Sequence, residues 1–396
     1  MKTLIKNITM LALLVLTALL VGSCGSDDTN SNSNNLSNPG VVRTYYIAAD
    51  EVNWDYSPDG NVIHESFDES ADVFLTNAPF DPAGLVTGST TTVIEGRIGK
   101  VYKKALYREY TDETFAALKP VPPEWQHLGA MGPMIRAVVG DTIVVVFKNN
   151  TQFDASMHPH GVFYDKDSEG AVYNDGVVKT GDKVAPGATH VYTWPVPERA
   201  GPGPMEGDSI GWMYHSHVDE TVDTYTGLIG PMIVTRKGRA RPDGSPLDAD
   251  RELFNLYHVY NENNTHYTDE NIATLATVTD PADIEALKAD PDFEESNLMH
   301  TINGYVFSKI PGLTMKKGEL VRWYLMGMGT EVDIHTPHWH GNVVTVNGMR
   351  MDVVSVFPAT MITADMEADN AGEWLYHCHV NDHIDAGMIT TFTVEP

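Results

Sequence analysis

The chain has 396 residues, 42% of them hydrophobic, which is length for about two or three domains and enough apolar content to bury real cores. Its 26 Lys and Arg against 54 Asp and Glu leave a formal charge of −28. A surface that negative repels phosphate backbones, which excludes nucleic-acid binding by charge attraction, and it draws small cations. Two cysteines, Cys24 and Cys378, exclude a disulfide framework.

Residues 1–24 read as an export signal. Lys2 and Lys6 form the charged start, and residues 8–21 form an apolar run too short to span a bilayer. The run ends Val21-Gly22-Ser23-Cys24, which resembles the lipobox of bacterial lipoproteins, where the Cys is lipidated. A plain cleaved signal with an incidental Cys is the alternative. Residues 25–40 are rich in Ser, Asn and Asp and have almost nothing to bury, so they read as a tether. The resulting expectation is an exported lipoprotein, held through Cys24 on a membrane facing the periplasm or the cell exterior.

From residue 41 the pattern is all-β. Short β-branched and aromatic runs recur between turn signals, such as 142–148 after Val139-Gly140-Asp141 and 320–325 after Lys317-Gly318-Glu319. Helical periodicity is scarce. Its clearest case is 281–289, where Asp280 can cap and Pro281 suits the first helical position. The stretch 239–251, with Pro, Gly, Ser and Asp, reads as a linker between a first domain (41–238) and a second (252–396).

The two halves repeat. The first runs Gly132-Pro133-Met134, Gly140-Asp141, His158-Pro159-His160-Gly161 and His215-Ser216-His217. The second runs Pro311-Gly312-Leu313, Gly318-Glu319, His338-Trp339-His340-Gly341 and His377-Cys378-His379. Duplicated β-domains of this size predict two tandem Greek-key β-sandwiches.

Sixteen histidines in 396 positions give fewer than one His-x-His by chance, and this chain has four. On a strand, residues i and i+2 share a face, so each pair presents two imidazoles side by side. Eight such nitrogens imply a multi-metal centre of an imidazole-binding metal: copper, zinc, iron or nickel. Cys378 narrows the choice. It lies between His377 and His379, so its thiolate points to the face opposite theirs, and His383 and Met388 follow at intervals of five. With His335 the set is two His, one Cys and one Met, the ligand signature of blue (type 1) copper. One tripeptide then joins a one-electron acceptor to a multi-copper cluster. His64, His127, His190, His258 and His266 show no ligand pattern.

On these residues the chain resembles the multicopper oxidases, within them the ceruloplasmin–hephaestin branch. The likeness spans residues 43–396 and is strongest over 102–106, 110–115, 158–173, 214–218, 227–231, 323–331 and 374–388. It implies two cupredoxin-like domains and four coppers. His335, Cys378, His383 and Met388 would hold type 1 copper, and His158 and His338 type 2. His160, His215 and His379 would hold one type 3 copper, and His217, His340 and His377 the other. The first domain has Ala155, Ser216, Thr221 and Leu228 where the second has its type 1 ligands, so it should carry no blue copper.

Each domain supplies four cluster histidines, and a two-domain chain resembles the small laccases, in which three subunits form a ring. The resemblance therefore implies a homotrimer with its clusters between subunits. The loop Asp165-Lys166-Asp167-Ser168-Glu169-Gly170, with Asp182 downstream, resembles one that binds Ca2+ in larger relatives. Gly181 replaces one of the paired acids, which favours an ordinary solvated acidic loop. Glu169 and Asp175 are candidate proton donors for oxygen reduction.

Three functions fit: a metal oxidase taking electrons from Fe2+ or Cu+ and passing them to O2, a laccase-like phenol oxidase, and a copper-buffering protein without turnover. The resemblance favours the first. Glu295, His300 and Asp382 match iron-binding positions of that branch, and Glu331 matches a fourth iron ligand that a trimer would supply from the next subunit. Three carboxylates and an imidazole favour ferric over ferrous iron and ease loss of the electron.

Overall fold

The computed structural model describes residues 40–58, 68–78, 96–177 and 179–396. The expected signal segment, Cys24, the tether up to residue 39 and His64 lie outside them. In the first half the strands are β1 (Val42–Asp55), β2 (Val101–Tyr110), β3 (Ile135–Val138), β4 (Thr142–Asn149), β5 (His158–Pro159), β6 (Thr189–Pro195), β7 (Ser209–His215) and β8 (Ile229–Thr235). They form two sheets, ordered β2-β1-β4-β6 and β3-β8-β7-β5. The second half has β9 (Arg251–Asn261), β10 (Leu298–Ile302), β11 (Thr314–Lys316), β12 (Leu320–Gly327), β13 (Pro337–Trp339), β14 (Val344–Val346), β15 (Met349–Met351), β16 (Met361–Glu367), β17 (Gly372–Cys378) and β18 (Ile389–Glu395). Its sheets run β10-β9-β12-β16-β14-β15 and β11-β18-β17-β13.

Each pair of sheets closes over its own core, which makes each half a β-sandwich. Val145, Phe147, Tyr192 and Trp194 meet Tyr214, Met232 and Val234 in the first. Trp323, Leu325 and Ala364 meet Trp339, Tyr376, Cys378 and Phe392 in the second. In β4 buried and half-buried positions alternate strictly, so one face meets the core. All seven residues of β8 and seven of the eight in β12 are buried, because both faces are covered. Their second faces meet between the halves, where Met213 and Ile233 pack with Phe254, Leu256, Tyr324 and Met326. Pro39–Pro396 accordingly cluster as one unit, and 239–250 is a packed connection rather than a slack one. Arg322, almost fully buried, ties it down by reaching Asp248 (2.8 Å), Asp365 (2.7 Å) and Ser209 Oγ (3.0 Å).

Among the described residues six short helices interrupt the strands: α1 (Asp68–Leu75), α2 (Glu220–Thr226), α3 (Thr268–Leu275), α4 (Pro281–Lys288), α5 (Pro291–Ser296) and α6 (Asn381–Asp385). At α4 the Asp280 carboxylate accepts the Ala282 N–H (2.8 Å) ahead of Pro281, as its sequence predicts. α2 and α6 matter most for the site. Each follows the strand that carries the last His-x-His of its half.

Candidate metal centre

The His-x-His motifs meet in pairs because their strands are neighbours in register. On β5 and β7, His158 lies opposite His215; on β13 and β17, His338 lies opposite His377 and Pro337 opposite Cys378. The chain turns away after each first motif at a glycine with positive φ, packed under a tryptophan. A methyl group on Gly161 would meet the Trp212 ring at 2.3 Å, and one on Gly341 the Trp374 ring at 2.8 Å.

In each half the histidine nitrogens converge. His160 Nε2 is 3.1 Å from His215 Nε2, and His340 Nε2 is 3.0 Å from His377 Nε2. The Nδ1–H groups of His215 and His377 donate to the Ser216 and Cys378 carbonyls (2.9 and 2.8 Å), which leaves the Nε2 lone pairs free. Burial, the largest cause for each, holds His160 and His377 down to about 4 and His215 down to about 3, so all three are neutral near pH 7. Neutral imidazoles whose nitrogens lie this close together are suited to share a metal ion. Donor atoms of His158, His160 and His215, and separately of His338, His340 and His377, all lie within 4.8 Å of one another. His217 and His379 sit at the rims, with ring centroids 5.1 Å from His158 and 5.2 Å from His338. Among the described residues no hydrogen bond or ring contact joins the first four histidines to the second four. The described residues thus hold two separate histidine groups.

Cys378 projects from β17 away from its flanking histidines into the second core, and it is fully buried. His335 and His383 meet it there. Their Nδ1 atoms are 3.2 Å apart, and His383 Nδ1 is 3.7 Å from Cys378 Sγ. The Thr336 N–H donates to that sulfur (3.3 Å). Met388 is buried beside the set, its backbone bonded to Cys378 (3.0 Å) and His383 (2.9 Å). Burial pushes the Cys378 thiol up, an environment hostile to a thiolate unless a cation joins it. In the first half the same position holds Ser216, whose hydroxyl donates to the buried Asp223 (2.6 Å) from α2. Asp223 in turn receives His266 Nε2 (2.8 Å). That pocket is filled by a hydrogen-bonded trio instead of a ligand set.

Glu295 on α5, His300 on β10 and Asp382 on α6 surround the outer side of His383. The His300 ring lies 5.2 Å from that of His383. Burial, then the Asp382 and Glu294 charges, push the Glu295 carboxyl up. Burial and then His383 hold His300 down to about 4. These groups share one locality without closing into a tight donor set. Glu331 stands on an exposed turn, with no hydrogen bond or ion pair to them.

The acidic loop is engaged internally. Lys166 and Tyr173 each bind the Glu169 carboxylate at 2.6 Å, and Lys179 pairs with Asp167 at 2.9 Å. Despite partial burial, its largest single influence, the Lys166 and Tyr173 bonds leave Glu169 below its ordinary value, so it stays ionised near neutrality. Asp333 and His258, buried behind His335, are not marked in the sequence. Nothing in their spacing marked them, since they meet across 75 positions of chain.

Two β-sandwich halves with matched histidine pairs, one of them backed by a buried His₂Cys set, define a copper-oxidase class of protein, and the comparisons agree. The chain belongs to the multicopper oxidase family, whose models match residues 129–239 and 274–396. It is 44% identical over 363 residues to ferroxidase HEPHL1 of Homo sapiens, covering 90% of this chain and 29% of that protein. It is 41% identical to human hephaestin and 40% identical to human ceruloplasmin, each over 89% of this chain and about three-tenths of the relative. The chain thus spans under a third of the length of these relatives. A crystal structure of a multicopper oxidase shares the fold at TM-score 0.55 and 18% identity, over 91% of both chains. The multicopper oxidase mgLAC does so at 0.53 and 20%, over 89% of this chain and 86% of that one.

Proposed function

We propose that this oxidoreductase couples oxidation of ferrous iron to reduction of O2 to water. The observation that carries the reading is the continuous segment His377-Cys378-His379, which belongs to two donor sets at once. The residues fit copper: a buried thiol with two Nδ1 atoms and an adjacent Met on one side, and converging neutral imidazoles on the other. His335, Cys378, His383 and Met388 would hold type 1 copper. His158 and His338 would hold type 2, while His160, His215 and His379, and His217, His340 and His377, would hold the two type 3 ions. When bound, copper supplies a one-electron acceptor at the first set and an oxygen-reducing centre at the others.

Ferrous iron is the reductant in this reading, held by Glu295, His300 and Asp382 beside His383, with Glu331 from a neighbouring copy. Support comes from their shared locality, from the raised Glu295 carboxyl that a cation would relieve, and from relatives that include a protein named a ferroxidase. Two half-sites per chain support a homotrimer in which the first tetrad of one subunit faces the second tetrad of the next, a heterologous contact that closes into a ring. The chain is exported and anchored by a lipid on Cys24. A laccase-like phenol oxidase is the second reading, favoured by apolar Val332, Ile334 and Phe357 exposed near His335.

The test is Glu295→Ala with Asp382→Ala, assayed with ferrous iron and with a dimethoxyphenol at equal copper content. A selective loss of ferrous oxidation, on the order of tenfold or more in kcat/KM, is expected. Unchanged ferrous oxidation would leave the phenol reading.

A further inference from the structure

We propose that Asp333 is a positioning residue that holds His335 in one tautomer, lowers the reduction potential of the His335–Cys378–His383 site and so biases its choice of reductant. This rests on reading that set as the copper site. Asp333 is fully buried. Its Oδ1 lies 3.3 Å from His335 Nε2 and accepts the Val259 N–H (2.8 Å), while Oδ2 accepts the Thr330 N–H (2.9 Å). The other nitrogen of the ring, His335 Nδ1, faces His383 Nδ1 at 3.2 Å. One nitrogen is therefore turned to the metal donors and the other to a carboxylate.

The carboxylate is built in. Its two backbone donors come from separate segments, β9 and the turn after β12. A methyl group at Gly329 would sit 2.0 Å from Oδ2, so the chain makes room for the carboxylate there. Behind it His258, also fully buried, donates Nδ1–H to the Met328 carbonyl (2.8 Å) with Asp333 Oδ1 at 3.6 Å. Tyr225 stacks on that ring, centroids 5.4 Å apart. The first half is an internal control. Where Ala155 replaces His335, the position two residues earlier is Phe153, with no acceptor.

A carboxylate that accepts an imidazole N–H raises electron density on the opposite nitrogen, and a buried negative charge favours the more highly charged metal. Both effects lower the potential. A weaker oxidant still accepts electrons from iron held by carboxylates, whose own potential is lowered by its ligands, but accepts them poorly from phenols. The acceptor is thereby matched to the donor.

The experiment is a poised redox titration of the copper-loaded chain, followed by the visible band of its Cys-ligated copper, for the parent and Asp333→Asn. The expected result is an equilibrium constant for reduction raised about tenfold or more, which is about 59 mV for one electron, with a higher ratio of phenol to ferrous turnover. A parent without the band would sink the copper assignment itself. Blue parent and variant with equal potentials would overturn only the role of Asp333. A readout free of copper and of variants is 15N NMR of the metal-free parent. The His335 proton belongs on Nε2, and a proton on Nδ1 overturns the proposal.

Discussion

Cys378 and Ser216 occupy equivalent places at the ends of equivalent strands, and the chemistry of the two halves diverges at that atom. The sulfur lies with nitrogens of His335 and His383, whereas the hydroxyl faces the Asp223 carboxylate. Cys378→Ser should therefore fold, lose the blue visible band and bind one copper fewer per chain. Metal analysis with absorbance on the same sample checks this, and a variant that stays blue would contradict it. The buried imidazoles make a second prediction. His160, His300 and His377 are held down to about 4 and His215 to about 3, against an ordinary 6.5. As pH falls below about 6.5 the unfolded chain takes up protons first, so the unfolded state gains relative to the folded one. The metal-free fold should lose stability steadily from about pH 6.5 down to about pH 4. Urea midpoints at pH 7, 5.5 and 4.5 should fall in that order, and a flat series would show that these rings are not buried in solution.

At the scale of elements, each ligand pair depends on a strand and on the turn that leaves it. Gly161 and Gly341 have positive φ and lie under Trp212 and Trp374. Alanine at either place should cost roughly 1–3 kcal/mol and shift the adjoining His160 or His340. Gly161→Ala should do more damage, its methyl being closer to the ring. Thermal melts together with copper content measure both effects. The Arg322 clasp is an acid-sensitive element. Burial opposes it, but the Arg322 bond and charge leave Asp248 below its ordinary carboxyl value of 3.8. The stability Asp248 contributes is thus present above about pH 4 and is lost as pH falls through its lowered value. Arg322→Met should abolish that acid dependence and cost roughly 2 kcal/mol, below the range for a fully buried pair because Asp365 is half exposed.

These elements also show what the sequence made legible. β4 and β12 stood out as β-branched and aromatic runs after Gly-Asp and Gly-Glu turns, and α4 through Asp280 and Pro281. α6 did not, because five residues are too few for a helical period. The copper-ligand candidates were readable from spacing, since a strand converts i, i+2 into a shared face. Asp333 was not: its bond from the Val259 N–H, 74 residues away, and the carboxylate-sized gap at Gly329 exist only after folding.

For the whole molecule, the proposed ring, in which the first histidine tetrad of one subunit faces the second tetrad of the next, makes assembly part of the chemistry. Chains with His158→Ala and His160→Ala, and chains with His340→Ala and His377→Ala, should each be inactive as pure assemblies. Mixed after dissociation, they should recover a fraction of parent activity, because some interfaces then pair the intact first tetrad of one variant with the intact second tetrad of the other. No recovery would place both tetrads in one subunit's site. The central claim, a copper oxidase that draws electrons from ferrous iron, is met most directly by an oxygen electrode. The copper-loaded, blue protein should consume four ferrous ions for each dioxygen and release no hydrogen peroxide. A fully loaded blue protein that takes up no oxygen with ferrous iron would contradict the account.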